Sequence, residues 1–168
     1  MSAQPTAAHG MQQEAPAQPH TGIERLQDTE LAAEIEFLTA RARSLGSGRA
    51  NQLLADLDLK VRSYSVLSLA CSGENPSQRE LADFLSLDPS QIVSLVDQLE
   101  KRGAVAREAD PRDRRSKVIV ATAAGRRLYR AAAAIVRESE AQSMRRLSTA
   151  ERDTLRSLLR RVAFDTAD

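Results

Sequence analysis

The sequence predicts a mostly α fold with one small β-hairpin, an α+β arrangement in which long helical arms flank a compact lobe. Three observations predict it. Apolar residues recur at 3.6-residue spacing over several long stretches of the 168-residue chain. Helix-start signals of the capping type stand at Ser77, Asp88 and Ser148. Two short β-prone segments, 104–108 and 117–121, are separated by the turn dipeptide Asp110-Pro111. Aromatic residues make up 3% and there is no Trp, so the core must be built from Ala, Leu and Val on closely packed helices.

Residues 1–22 hold three of the six prolines and a single charge, Glu14, and read as a disordered tail with too little apolar surface to fold. A long helix is expected from Asp28 or Thr29, either of which can cap it, with Leu31, Ile35, Leu38, Ala42 and Leu45 as its stripe. Gly46 and Gly48 either end that helix or sit inside it. Leu53, Leu54 and Leu57 carry the stripe onward and favour continuation to about Asp56. A second helix is expected over Ser63–Cys71, followed by a turn from Gly73 to Pro76.

Ser77-Gln-Arg-Glu80 forms a capping box for a short helix, Gln78–Leu85. Asp88 caps the next, with Pro89 at its first position, Ile92, Leu95, Val96 and Leu99 as the buried stripe, and Gly103 as the stop. Thr122 caps an Ala-rich helix running to about Arg146. Ser148-Thr-Ala-Glu151 opens the last helix, whose apolar face is Leu155, Leu158, Leu159 and Val162. Terminal helices this long cannot bury their stripes on so small a lobe, so they need each other or a second subunit. The expected organisation is a tail (1–22), helical dimerisation arms (28–57 and 123–165) and a winged helix-turn-helix lobe (60–122).

The net charge of +1 argues for no particular partner, but its distribution does. Residues 101–130 carry ten basic side chains against three acidic ones, a local +7, whereas residues 74–100 carry one arginine against six acidic groups, a local −5. So local a basic block is an electrostatic footprint for phosphate. Cys71 is the only cysteine, which excludes an internal disulfide and fits a reducing cytoplasm. No apolar run approaches the ~20 residues that would span a membrane. The N-terminus lacks the basic-then-apolar pattern of a signal peptide, so a cytoplasmic protein is expected.

Two short helices joined by a tight turn, followed by a ribbon with an arginine-rich tip, are the parts of a winged helix-turn-helix. The helix 88–102 lays its N-terminal residues against base edges in a major groove. Pro89, Ser90, Gln91, Val93 and Ser94 fall on the face away from the buried stripe. Gln91 suits adenine, Ser90 and Ser94 suit bases or phosphates, and Val93 suits a thymine methyl. Gln78, which opens the preceding helix, joins these candidate contacts. In the ribbon 110–117, Arg112, Arg114, Arg115 and Lys117 supply positive charge. An arginine at a narrow tip enters the minor groove, where negative potential is focused, and Asp113 can hold such a guanidinium in place.

At this point the chain resembles the MarR family of winged-helix transcriptional regulators. The resemblance rests on Ser77-Gln-Arg-Glu-Leu-Ala82, Leu95-Val-Asp-Gln-Leu-Glu-Lys-Arg-Gly103, Arg107, Asp110-Pro-Arg-Asp-Arg-Arg115, Val118 through Thr122 with Gly125, and Leu147-Ser-Thr-Ala-Glu151. It extends over about residues 28–165, and the wing, with Asp113 and Arg115 two apart, is its most specific element. The resemblance implies a homodimer joined by first and last helices, a pseudo-palindromic double-stranded operator, repression in most members, and release by small, often phenolic ligands. It aligns Arg115 with the minor-groove arginine, Asp113 with its partner, and Ser90 and Gln91 with recognition-helix contacts. It also points to Arg41, Arg43 and Tyr64 as effector-pocket candidates for an anionic or aromatic ligand.

The chain departs from the pattern where many members have a basic residue, at Ser94 and Gln98, and where they have a small hydroxyl residue, at Val93. No Lys or Arg occurs between Glu80 and Glu100. Phosphate attraction must then come from the wing, Lys60, Arg62, Arg79, Lys101 and helix N-termini. Redox-sensing relatives carry a first-helix cysteine, which is missing here, and Cys71 reads as a small core residue. The only histidines, His9 and His20, lie in the tail, so no Ser–His or Cys–His pair can be preorganised and no His/Cys cluster offers a metal site. There is no Gly-rich phosphate loop, and no cofactor is expected. A non-enzymatic DNA-binding regulator is expected. The alternative is a winged-helix protein–protein module without DNA, for which the acidic helix 88–102 is the best support.

Overall fold

The computed structural model describes residues 22–111, 113 and 115–164. The expected tail therefore lies outside the described residues up to residue 21, as do the side chains of Arg112 and Arg114. The chain divides into two compact units, residues 1–40 and 41–168.

The described part of the first unit opens with two short 3-10 turns, Glu24–Asp28 and Glu30–Ala33, before helix α1 (Ile35–Leu54) begins. The helix expected from Asp28 or Thr29 thus starts six or seven residues later. Thr29 is extended, with ψ 156°, and its hydroxyl donates to the Leu26 carbonyl rather than capping a helix. Glu34 is extended too and keeps the two turns separate from α1. Ile23, Leu26, Leu31, Ile35 and Leu38 are all exposed. From residue 41 onward α1 continues through Gly46 and Gly48 without a break, as Leu53 and Leu54 suggest. It closes in a 3-10 turn, Ala55–Leu57, with Asp58 left-handed at φ 49°.

The second unit is built on a core of Leu54, Leu59, Val66, Leu67, Leu81, Ile92, Val96, Leu99, Val105 and Ile119. Burying each such side chain contributes roughly 1.5–3 kcal/mol relative to leaving it exposed. Helix α2 (Val61–Ala70) packs on α4 (Pro89–Lys101), on α5 (Ala123–Ser143) and on the hairpin. Its first N–H, on Val61, is capped from α1 by Asn51 Oδ1 at 2.8 Å. Helix α3 (Gln78–Leu85) carries the expected capping box, with Ser77 N–H donating to Glu80 Oε2 at 2.7 Å and Glu80 N–H to Ser77 Oγ at 3.2 Å. It ends at Ser86, left-handed at φ 50°, and a three-residue turn leads into α4. Asp88 caps α4 as expected, and Gly103 stops it with φ 65°, a conformation that a side chain would strain.

Strands β1 (Val105–Ala109) and β2 (Lys117–Ala121) pair antiparallel, Val105 opposite Ala121 and Ala109 opposite Lys117. A third, minimal strand was not foreseen. Ser77 bridges to Val118, and Ile119 N–H donates to the Pro76 carbonyl at 2.8 Å, so the residues just before α3 extend the ribbon. Thr122 caps α5 by accepting from Gly125 N–H at 3.0 Å. Gly125 is required there, since a Cβ would lie 1.8 Å from the Ala104 carbonyl oxygen. The last helix, α6 (Thr149–Phe164), opens on the predicted Ser148–Glu151 capping box. It leaves Leu158, Leu159, Val162 and Phe164 exposed, Val162 at 86%. Among the described residues no helix is long and apolar enough to cross a membrane.

Candidate DNA interface

The helix-turn-helix is α3, the turn Ser86–Asp88 and α4. Ile92, Val96 and Leu99 are fully buried and fix the roll of α4 about its axis. Pro89, Ser90, Gln91, Val93 and Ser94 therefore all face solvent. The cap shapes this surface. Asp88 Oδ1 accepts from Ser90 N–H at 2.8 Å and also from the Ser90 hydroxyl. These bonds, the hydroxyl foremost, hold the Asp88 carboxyl below its ordinary pKa. The Ser90 hydroxyl hydrogen is thereby engaged, and its oxygen presents lone pairs outward. Ser94 Oγ accepts from Gln98 Nε2 at 3.2 Å, which leaves its own hydrogen to donate. Gln91 has no side-chain hydrogen-bond partner among the described residues, so both halves of its amide are open to an adenine edge.

The wing is the loop between β1 and β2. Asp110 is buried, and its N–H donates to the Ser116 carbonyl at 3.0 Å. Among the described residues Asp113 bonds a backbone N–H and a hydroxyl rather than a guanidinium. Its Oδ1 accepts from the backbone N–H of Arg115 at 3.0 Å and its Oδ2 from the Ser116 hydroxyl at 3.0 Å. Ser116 N–H donates to the Asp113 carbonyl at 2.9 Å. Asp113 therefore holds the turn that carries Arg115, as short polar side chains do in loops. Arg115 and Lys117 are exposed, and neither forms an ion pair among the described residues. Arg112 and Arg114, the other two wing arginines, lie outside the described residues.

Not every base in the positive block faces outward. Arg102 donates to the Asp58 and Leu57 carbonyls at 2.6 and 2.8 Å, tying the end of α4 to the end of α1's 3-10 turn. Arg126 donates to the Ala121 carbonyl at 2.6 Å. Arg107, on β1, pairs with Asp97 and Glu100 of α4 and donates from Nε to Gln78 Oε1 at 2.9 Å. Those carboxylates, the Asp97 bond foremost, raise the Arg107 pKa despite its burial. Sequence reasoning missed this arrangement. The signal was present in two acids three apart on α4, followed by one arginine just past the helix stop. Lys60, Arg62, Arg79 and Lys101 are exposed, as a phosphate role requires.

The three effector candidates are not joined by contacts. Arg41 and Arg43 are exposed on α1 and have no hydrogen-bond or ion-pair partner among the described residues. Tyr64 on α2 is half-buried and stacks on Tyr129 of α5, ring centroids 6.0 Å apart. Burial first, then Tyr129, pushes the Tyr64 phenol up, so it stays a neutral donor. Burial likewise pushes the Cys71 thiol up against the pull of Arg126 and Arg130, which disfavours the reactive thiolate. Among the described residues no cluster of His, Cys, Asp or Glu could hold a metal.

A helix-turn-helix with its outward face held by a cap, joined to a ribbon that carries unpaired cations, defines a winged helix-turn-helix protein. The family model that matches is that of the MarR family, over residues 59–117, from the start of the lobe to the start of β2. The chain is similar to a MarR-family transcriptional regulator from Rhodococcus sp. RHA1, 42% identical with a TM-score of 0.76 over 82% of this chain and 98% of that one. It is similar too to CouR from Rhodococcus jostii RHA1, solved bound to p-coumaroyl-CoA, 43% identical with a TM-score of 0.75 over 82% of this chain and 97% of that one. A putative transcriptional regulatory protein for the hcr operon of Thauera aromatica is 38% identical over 100 residues, 59% of this chain and 60% of that relative's length. The chain belongs to the MarR family of transcriptional regulators.

Proposed function

We propose that the protein is a homodimeric, ligand-responsive repressor that binds a pseudo-palindromic operator, with residues 88–102 in the major groove and the wing 110–117 in the minor groove. The observation that carries this reading is the pairing, within one lobe, of an open α4 face with a ribbon whose Arg115 and Lys117 side chains have no ion-pair partner among the described residues. Asp113 organises the backbone beneath Arg115, and Gln78, Pro89, Ser90, Gln91, Val93 and Ser94 supply the remaining surface. The protein is not an enzyme on this reading, and it works in the cytoplasm with DNA as its partner.

The dimer reading rests on apolar side chains that are exposed among the described residues. Ile35 is 79% and Val162 86% exposed. A cavity of about 260 Å³ between α5 and α6, floored by Met144, Leu155, Leu159, Ala163 and Phe164, offers a seat for a second copy. On this reading the helical regions 28–57 and 123–165 are the dimerisation arms and residues 60–122 the DNA-binding lobe.

An aromatic or phenolic effector is proposed at the Tyr64–Tyr129 stack, with Arg41 and Arg43 as anion partners. A relative solved with an aromatic acyl-CoA supports that ligand class, and so does the neutral phenol of Tyr64. The test is a nuclease footprint on the DNA upstream of the protein's own gene. Two protected half-sites about 10 base pairs apart are expected, and p-coumarate or its CoA thioester should weaken the protection. A single half-site would remove the dimer, and protection indifferent to both compounds would remove this effector class.

A further inference from the structure

The acidity of α3 and α4 opposes a DNA-facing role, because residues 74–100 carry six acidic groups against one arginine. Arg107 answers that opposition for two of them. From β1 its guanidinium reaches Asp97 and Glu100, and its backbone N–H also donates to Glu100 Oε1 at 3.3 Å. Its third edge, Nε–H, donates to Gln78 at 2.9 Å. Since Nε–H can only donate, the facing Gln78 atom must be the amide oxygen. The Gln78 NH₂ group, a pure donor, is then the half of the amide left for another partner. Gln78 is the first residue of α3, where free N–H groups and the helix dipole already favour an anion. The Arg107 side chain is only 22% exposed, so this fork is fixed by its surroundings and is poorly placed to touch DNA itself.

We propose that Arg107 is a positioning residue for DNA binding. It sets the Gln78 amide as a donor to backbone phosphate and offsets part of the charge of Asp97 and Glu100 on the recognition helix. The inference rests on the DNA-binding reading and adds to it a residue that acts without touching DNA. Lysine cannot replace it, because a point charge lacks the three-edged fork.

The probe is a generic duplex of about 30 base pairs in about 50 mM salt, where phosphate contacts dominate binding. Arg107→Gln should lower affinity about tenfold or more, because two unpaired carboxylates then face phosphate. That deficit should shrink as salt rises. Adding Asp97→Asn and Glu100→Gln to Arg107→Gln should restore most of the affinity, which a purely structural staple would not allow. Gln78→Ala should weaken binding a few-fold, and Arg107→Lys should weaken the wild type but add little in the Gln78→Ala background. Thermal melting checks that each variant is folded, and if Arg107→Gln does not fold, the Arg107→Lys and Gln78→Ala pair carries the test. Arg107→Gln binding as well as wild type would overturn the proposal. So would a deficit that charge removal does not repair together with equal Arg107→Lys losses in both backgrounds. If the wild type binds no duplex at all, the DNA-binding reading itself fails, an outcome distinct from both.

Discussion

Arg115 and Gly125 each depend on one neighbour. Arg115 is placed by its backbone N–H, which Asp113 holds at 3.0 Å, while its guanidinium is left without an ion pair among the described residues. Arg115→Ala should therefore weaken operator binding by about 1–3 kcal/mol, measured by fluorescence anisotropy, with the folded state unchanged. Equal binding by the two proteins would remove the wing from the mechanism. Gly125 lets α5 pass over Ala104, whose carbonyl oxygen would lie 1.8 Å from an added Cβ. That oxygen already accepts from Thr122 N–H at 3.0 Å and is backbone, so it cannot give way cheaply. Gly125→Ala should destabilise the fold by about 1–3 kcal/mol in urea unfolding, and an unchanged midpoint would show that α5 can shift.

The spacing of Asp113 and Arg115 made the pair legible in the sequence, but not which atoms meet. A carboxylate two residues before an arginine can bond either the guanidinium or the backbone, and only the turn geometry decides. Arg107 was less legible still. Gln78 lies 29 residues away in sequence, and no local pattern announces that contact.

At the scale of elements, boundaries were readable wherever a side chain caps. Ser77, Asp88, Thr122 and Ser148 all accept the backbone N–H groups their positions imply, so α3 through α6 begin where the sequence puts them. The start of α1 was misread because Thr29 has the right residue type, yet it closes a 3-10 turn with its hydroxyl. Apolar periodicity continues through Leu31 and Ile35 and cannot distinguish two short turns from one long helix. The minimal strand at Pro76–Ser77 carries no periodicity at all and was invisible.

Capping also predicts a pH response. The Asp88 carboxyl is held below its ordinary value of 3.8 by Ser90 and the helix N–H groups. A lowered folded pKa contributes stability above the unfolded value, and that contribution is lost as pH falls through the folded one. Asp88→Asn keeps the acceptor and removes the proton. Its urea midpoint should fall less steeply than that of the wild type below about pH 4, and parallel curves would show that the cap does not titrate with folding.

For the whole molecule, the fold class and the winged lobe were legible because amphipathic period, caps and turn chemistry agree with one another. The need of the terminal helices for a further surface was legible only as a deficit, apolar stripes that the described residues leave largely uncovered. The described structure keeps that deficit, with Leu158, Leu159, Val162 and Phe164 of α6 exposed. Net charge was the least informative quantity. A chain of net +1 holds a +7 block, and part of that block is tied internally through Arg102, Arg107 and Arg126. On the DNA-binding reading, attraction to phosphate among the described residues then falls to Arg115, Lys117, Lys60, Arg62, Arg79 and Lys101, whose contribution must be strongly screened by salt.

The salt dependence of binding to duplex DNA from upstream of the protein's own gene therefore tests the central claim most directly. The logarithm of the association constant should fall linearly with the logarithm of salt concentration, with a slope of about −0.9 for each phosphate neutralised and several phosphates in all. Binding that is absent, or flat across the same range of salt, would contradict a winged helix that holds DNA through its wing and would favour an apolar protein partner instead.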